Sequence, residues 1–430
     1  MSKFQLIFIT VFVICIIGGV AAFATYKSTS ESNRLPLVTI WGSFPASVFN
    51  SYINKINQNI SNPLNVSYVE ISQQNFRQNL IESLANGQGP DAILIPQTDL
   101  YGYYDKIIPI PNEALSTANF KSSFVSQAEL YLTPNGALAV PFVIDPLVMY
   151  WNRTMFTNAG IAKQPQYWED FVDVNKKITS KDINSNIRKS AIALGEFANL
   201  NNAREILSAL LLQAGNPITL FTENGLISTI GNGSYSGSDI SAPALTFFTQ
   251  FADPRNPQYS WNRSLPSSKS SFLSGTLATY FGFTSELLDI REKNPNLDFD
   301  VSRFPQAKNG SIRTTYGNMY GFSIIKSTAN VGNTYTVIDI LTNPSSMNIL
   351  NEFVYLPSVR REVIASGSAD PYMTMFLDSA LISRGWVDSN SNRSNAIFKD
   401  MVESVTSGRA DIYNALKQAN DELDLSLKNR

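Results

Sequence analysis

Short apolar runs alternate with helical stripes along most of this chain. Residues 37–41 (LVTIW) read as a buried strand, after which Val48, Phe49, Tyr52, Ile53, Ile56 and Ile60 recur at steps that place them on one side of a helix. A turn at Asn62-Pro63 ends that helix, and a second strand runs through Val66, Tyr68 and Val69. Phe76, Leu80, Ile81 and Leu84 form the next stripe, Gly87 and Gly89 stop it, and residues 91–95 (DAILI) are a third strand. Strands alternating with helices predict right-handed βαβ units and a mainly parallel sheet, with ligands taken at the carboxyl ends of the strands. After Asp145 the rhythm restarts, with a strand at 147–151 and helices at 153–159, 167–178, 203–214 and 242–251. The polar run 227–240, with Gly231, Gly233 and Gly237, predicts a surface loop, and residues 393–427 predict two amphipathic helices split at Ser407-Gly408. No internal repeat is evident.

The first residues follow a different pattern. Lys3 precedes an apolar run from Phe4 to Ala24 that only Gln5 and Thr10 interrupt. Roughly 20 such residues span a bilayer, whereas the core of a signal peptide takes about 7 to 15, so length favours a retained membrane anchor over residues 1–24. Ala22-Phe23-Ala24 also fits a small-x-small cleavage site, which keeps a cleaved signal open. Both readings place the rest of the chain outside the cytoplasmic membrane. The polar stretch 25–35 reads as a tether.

Composition narrows the chemistry. With 430 residues the chain exceeds one ordinary core, so two lobes are expected. Charged residues make up 16% and the formal net charge is -2, which argues against a nucleic-acid partner held by a basic field. The chain has no His and a single Cys, Cys15, inside the apolar run. Ser-His-Asp and Cys-His catalysis, His-ligated zinc or haem, and a disulfide framework are excluded, and no cofactor or metal is expected. A carboxylate-based glycoside hydrolase stays open.

Three segments carry a resemblance. Residues 134–171 (PNGALAVPFVIDPLVMYWNRTMFTNAGIAKQPQYWEDF) hold Gly136, Pro141-Phe142, Tyr150-Trp151-Asn152, Gly160, and Pro165 before Trp168. Residues 272–305 contain a Phe-x-x-Gly-x-x-Ala segment and an Asn-Pro…Phe strand ending in Pro, and residues 314–327 read TTYGNMYGFSIIKS. In order and spacing these resemble the extracellular solute-binding proteins that serve sugar-type ABC importers, over the chain from about Val38 to the last helix. The resemblance implies two α/β lobes of the periplasmic-binding-protein type, with a ligand cleft between them. We expect lobe 1 to comprise 36–143 and 316–359, and lobe 2 to comprise 144–315 and 360–430. It implies a monomer that binds a saccharide or related polar solute, closes over it and presents it to an ABC permease with its ATPase. A sensor ectodomain is the other fate for such a binder.

Sugar rings offer hydroxyls at their edges and apolar faces, so a saccharide cleft needs aromatic platforms beside carboxylates or amides. At the positions where the family binds ligand, this chain places Asp145 after Pro141-Phe142, although an Asp-Pro turn would also explain it. Trp41 ends the first strand and can equally be core, while Ser43 and Phe44 lie beyond it. Gln97 and Asp99 follow the third strand. Ile95 stands where a subset of the family carries a stacking aromatic, which departs from the pattern. Phe283 falls where many relatives stack a sugar, Tyr316 and Asn318 lie on the return crossover beside Gly317, and Trp386 is a fourth platform candidate. Tyr150, Trp151 and Trp168 read as core, and Asp91 as a structural acid at the start of a strand.

Overall fold

Three parallel strands open the fold, as the apolar runs predict. The computed structural model describes residues 35–223, 225–231 and 240–428. The apolar run that carries the anchor-or-signal expectation lies outside them. Among the described residues no helix is long and apolar enough to cross a membrane. Strand β1 (Val38–Gly42) leads to helix α1 (Ala46–Asn57), β2 (Val66–Glu70), α2 (Gln73–Ala85) and β3 (Ala92–Pro96). β1 pairs in parallel with both β2 and β3. Helix α1 turns Phe49, Tyr52, Ile53 and Ile56 inward, and every residue of β3 is buried. Each such side chain contributes about 1.5–3 kcal/mol by leaving water. Asp91 is structural, as expected: its carboxylate accepts from the Thr39 amide at 2.8 Å and from the Thr328 hydroxyl.

Beyond β3 the short helix α3 (Gln97–Leu100) begins. The next long element departs from expectation. Strand β4 runs over 13 residues from Val140 to Asn152, well beyond the predicted 147–151 and straight through Pro141 and Pro146. Its first half pairs with β8 (Thr315–Ile325), antiparallel, from Val140↔Phe322 to Pro146↔Gly317. A register shift beside Pro141 absorbs the missing amide. Its second half pairs with β6 (Leu277–Phe283) on one side and β7 (Phe299–Arg303) on the other, both antiparallel. β6 in turn pairs in parallel with β5 (Ile187–Ile192). The main path of this 11-stranded sheet reads β2-β1-β3-β8-β4-β6-β5, continues to the short strand Ser180–Lys181, and is mixed, not mainly parallel. The reason is topological: β4 and β8 each cross from one lobe to the other in opposite directions, and each lobe receives an antiparallel strand from the crossing.

The helices of the second half include α4 (Ala203–Gln213) and α5 (Glu286–Lys293). After β8 come α6 (Val331–Thr342), α7 (Pro344–Leu350), α8 (Arg361–Ala365), α9 (Pro371–Ile382), α10 (Ser391–Thr406) and α11 (Ile412–Lys428). α8 packs against α7 and the helix Thr117–Ser123, whereas α9 packs on β4 and β7. The predicted loop 227–240 begins inside a hairpin, Thr219–Thr222 with Gly225–Ser228, and residues 232–239 lie outside the described residues.

The crossings meet around two amides. Gln97 and Gln127 lie within the protein, and both Nε2 groups donate to the Gly317 carbonyl, at 2.8 and 2.6 Å. Their closeness requires glycine. A Cβ on Gly317 would sit 2.6 Å from Gln127 Oε1 and 2.9 Å from Ile144 Cδ1, and one on Gly385 would sit 2.6 Å from Gln97 Nε2. Gly317→Ala should lower stability by roughly 1–3 kcal/mol through overpacking. Urea denaturation checks this, and an unchanged midpoint would show that the crossing has room to spare.

Candidate functional site

The carboxyl ends of β1, β3 and β6 converge on the two crossing strands. At their centre Asp145 of β4 stands opposite Asn318 of β8. Asp145 is 8% exposed, and its Oδ1 accepts from Thr284 Oγ1 at 2.7 Å and from the Ser285 amide at 3.0 Å. Burial pushes its carboxyl up to about 6, against the pull of the Ser285 and Thr284 hydrogen bonds. The half-buried Asn318 donates to the Tyr320 hydroxyl at 3.3 Å. Tyr320 lies two residues further along the same strand face. Its phenol is pushed up by burial, with the charges of Asp145 and Asp99 adding to the effect.

Aromatic rings flank this polar centre. Phe44, just beyond β1, meets Tyr320 edge to face at 5.2 Å and Phe142 at 6.1 Å. Its backbone is anchored by the Tyr68 hydroxyl, which donates to the Phe44 carbonyl at 3.0 Å. Ser43 is half-buried beside it, while Trp41 stays on the strand and packs its ring against the core. Across the centre, the half-buried Phe283 ring lies 6.4 Å from that of Tyr316, also edge to face.

Two predicted residues are placed differently. Gln97 is fully buried, and beyond Gly317 its Oε1 accepts from the Met319 amide, so its amide serves the crossing. Trp386 is also fully buried, stacked on Phe398 at 5.9 Å with its indole N–H donated to Ser208 Oγ. Neither presents a free polar or apolar face to a cleft. Irregular backbone around Trp386 suggested a loop, but the segment is wedged between α4 and α10. Tyr316, 1% exposed, offers little beyond a ring edge.

Asp99 marks where the two lobes touch. Burial pushes its carboxyl up, against hydrogen bonds from Ser391 and the charge of Arg204. Arg204, near the start of α4, donates to Glu205 at 2.7 and 2.9 Å, to the Ser391 carbonyl at 2.8 Å and to Ser394 Oγ at 3.1 Å. Nearby, the Tyr101 amide donates to the Asp388 carbonyl, and the Tyr101 ring meets Phe221 at 5.7 Å. The α3 turn thus docks on the hairpin and on the segment before α10.

Sequence reasoning missed Tyr320, Arg204, Glu205 and the Thr284-Ser285 clasp. Period-two alternation along β8 points to Tyr320 once Asn318 is chosen. An Arg-Glu pair opening the otherwise apolar α4 (AREILSALLLQ) is also a usable signal, since buried charges demand partners.

Residues 47–348 match the family described as bacterial extracellular solute-binding protein. The chain belongs to that family. A search of curated protein sequences finds no match. Among solved structures, the solute-binding fold is shared by a cyclic alpha-maltosyl-1,6-maltose binding protein from Arthrobacter globiformis, with 16% identity, a TM-score of 0.73, and 92% of this chain and 99% of that one covered. A cyclo/maltodextrin-binding protein complexed with maltotetraose gives 14% identity and a TM-score of 0.71, covering 94% of this chain and 99% of that one. The GacH receptor of Streptomyces glaucescens gives 14% and 0.68, covering 93% and 100%. Both the two-lobe fold and the extracellular solute-binding class expected from the motifs are thereby met.

Proposed function

We propose that this solute-binding protein captures a saccharide by closing its lobes, and hands it to an ABC permease with its ATPase. The observation that carries the ligand class is the centre formed by Asp145, Asn318 and Tyr320 between the rings of Phe44 and Phe283. A carboxylate and an amide suit the hydroxyl edge of a sugar, and aromatic rings suit its apolar face. The carbohydrates named with the structural neighbours support the same class. Under this proposal Ser43 and Asp99 join from lobe 1. In this reading the lobes divide as 36–143 with 316–359 and 144–315 with 360–430, except that the packing of α8 carries lobe 1 on to Ala365. The apolar run 4–24 tethers the chain to the membrane, and the protein acts as a monomer.

Contacts from both lobes exist only when the lobes are closed, so ligand shifts the population toward that state. Family membership supports a binder and not an enzyme. The full chain should melt several degrees higher with one of maltotetraose, mannotriose or tagatose, since ligand at a hundredfold its Kd adds about 2.7 kcal/mol. The saccharide should be recovered unchanged. If no sugar shifts the melt while an amino acid, peptide or polyamine does, the proposed ligand class falls.

A further inference from the structure

Glu286 is the first residue of α5, and an acid there would ordinarily be explained by the helix dipole. Its bonds ask for more than that. Oε1 accepts from the Phe283 amide at 2.9 Å and from Asn202 Nδ2 at 3.0 Å. Oε2 accepts from the Tyr280 hydroxyl at 2.8 Å and lies 2.6 Å from Lys269 Nζ. Four donors from three places in the chain, Asn202, Lys269 and the Tyr280–Phe283 end of β6, meet on one carboxylate whose side chain is 15% exposed. Gly282 lets it approach, because a Cβ there would lie 2.9 Å from Oε1.

The donors belong to the elements that build one wall of the cleft. Asn202 holds a left-handed backbone, φ 58°, at the N-terminal boundary of α4, two residues before Arg204. Phe283 is tied on its other side, where its carbonyl accepts from the Tyr150 hydroxyl at 2.6 Å. The next two residues clasp Asp145 through the Thr284 hydroxyl and the Ser285 amide, and the Thr284 amide returns to the Pro146 carbonyl at 3.0 Å. One turn therefore sets both the Phe283 ring and the rotamer of Asp145, and Glu286 is the group that locks this turn to β6 and α4.

We propose that Glu286 is a positioning residue of the cleft, its carboxylate fixing the turn that presents Phe283 and clasps Asp145. The assignment of a ligand role to those two residues rests on the saccharide reading, while the locking of the turn does not. Its negative charge also bears on Asp145 and contributes to that carboxyl's raised position.

Glu286→Gln tests this, because the near-isosteric amide has one oxygen for four donors. Three readouts are taken on the full chain. In the unliganded protein, hydrogen exchange at the Phe283 and Ser285 amides should quicken at least tenfold relative to β3. The titration midpoint of Asp145, followed by carboxyl NMR, should move to lower pH. Affinity for whichever of maltotetraose, mannotriose or tagatose stabilises the parent should fall about tenfold or more. A helix-capping role alone would lower the melting temperature and leave exchange at the Phe283 and Ser285 amides unchanged relative to β3. Unchanged exchange and an unchanged titration overturn the proposal whether or not any sugar binds. If no sugar binds the parent, the saccharide reading fails, and the first two readouts still decide the role of Glu286. Should Glu286→Gln not fold, Lys269→Met, which removes one donor and leaves the carboxylate without its cation, should quicken exchange at the Phe283 and Ser285 amides by a smaller factor and move the Asp145 midpoint to higher pH. No change in either would sink the idea.

Discussion

Arg204→Met should destabilise the unliganded chain by about 3–5 kcal/mol at pH 7, the cost of removing one partner from a buried charge cluster. The Arg204 side chain is 11% exposed and that of Glu205 16%. Burial works against the guanidinium, but Glu205, Tyr316 and Asp388 more than offset it and hold its pKa above the ordinary arginine value. Without it, Asp99 and Asp388 lose the cation that pulls both of them down. Asp388 is fully buried; its Oδ1 accepts from the Ser389 and Asn390 amides at 2.7 and 3.1 Å, while its Oδ2 has no hydrogen-bond partner among the described residues. The pH dependence follows from sign. Burial pushes the carboxyls of both Asp99 and Asp388 up in the folded chain, while Arg204 pulls both down. A group raised on folding gives stability that is complete below its unfolded pKa, near 3.9 for Asp, and lost as pH rises through the folded value. Removing Arg204 raises both folded values further and so enlarges the loss at neutral pH. The difference between variant and parent should therefore shrink steadily from pH 8 toward pH 4, as the carboxyls take up protons. Urea titrations across that range measure it. A loss under 1 kcal/mol at pH 7, or one that persists undiminished in acid, would show that the cluster is already neutral or already hydrated.

The same residues show what could and could not be read from the chain. β3 was legible because local pattern and tertiary role agree: a five-residue apolar run buried on both faces has no competing reading. β4 was read short because Pro141 and Pro146 are breakers in isolation, and only a partner strand tolerant of a register shift makes them strand residues. Asp145, Asn318, Phe44 and Phe283 meet because strand ends and crossings are topological positions, which motifs mark well. Gln97 and Trp386 show the opposite case. Both sit in segments that look like loops, yet contacts far away in sequence, Gly317 and Met319 for one and Phe398 and Ser208 for the other, take their polar groups and bury them. Nothing within a few residues of either position encodes those contacts. Glu286 was invisible for the same reason, since an acid opening a helix is ordinary until its four donors are seen.

Asp145→Asn should weaken saccharide binding at pH 7.5 by roughly tenfold or more, and should flatten its pH dependence. A hydrogen bond to a charged group is worth about 1.5–3 kcal/mol, and 1.4 kcal/mol is a factor of ten. Asparagine keeps the shape and an oxygen for Thr284 and Ser285, so the turn stays and the loss reports charge. In the parent the Asp145 carboxyl is pushed up to about 6 by burial, a raised folded value. Two consequences have opposite signs. As pH falls from 7.5 to 5 the carboxylate takes up its proton, its charge-assisted bond becomes a neutral one, and affinity should drop roughly threefold to tenfold. Over the same range the unliganded protein should gain stability from this group, because a carboxyl whose folded pKa lies above its unfolded one favours the folded state once protonated. The gain is complete below the unfolded value, near 3.9, and lost as pH rises through about 6. Isothermal titration of the saccharide beside thermal melts without ligand, each at several pH values, separates the two. General acid damage to the protein would lower affinity and stability together, and would take the Asn variant down in step with the parent. Affinity that falls in acid while the unliganded melt rises, with both trends reduced by Asp145→Asn, assigns the titrating group. A pH profile identical in parent and variant would move the ligand's main polar contact elsewhere in the cleft, with the Asn318–Tyr320 pair as the next site to probe.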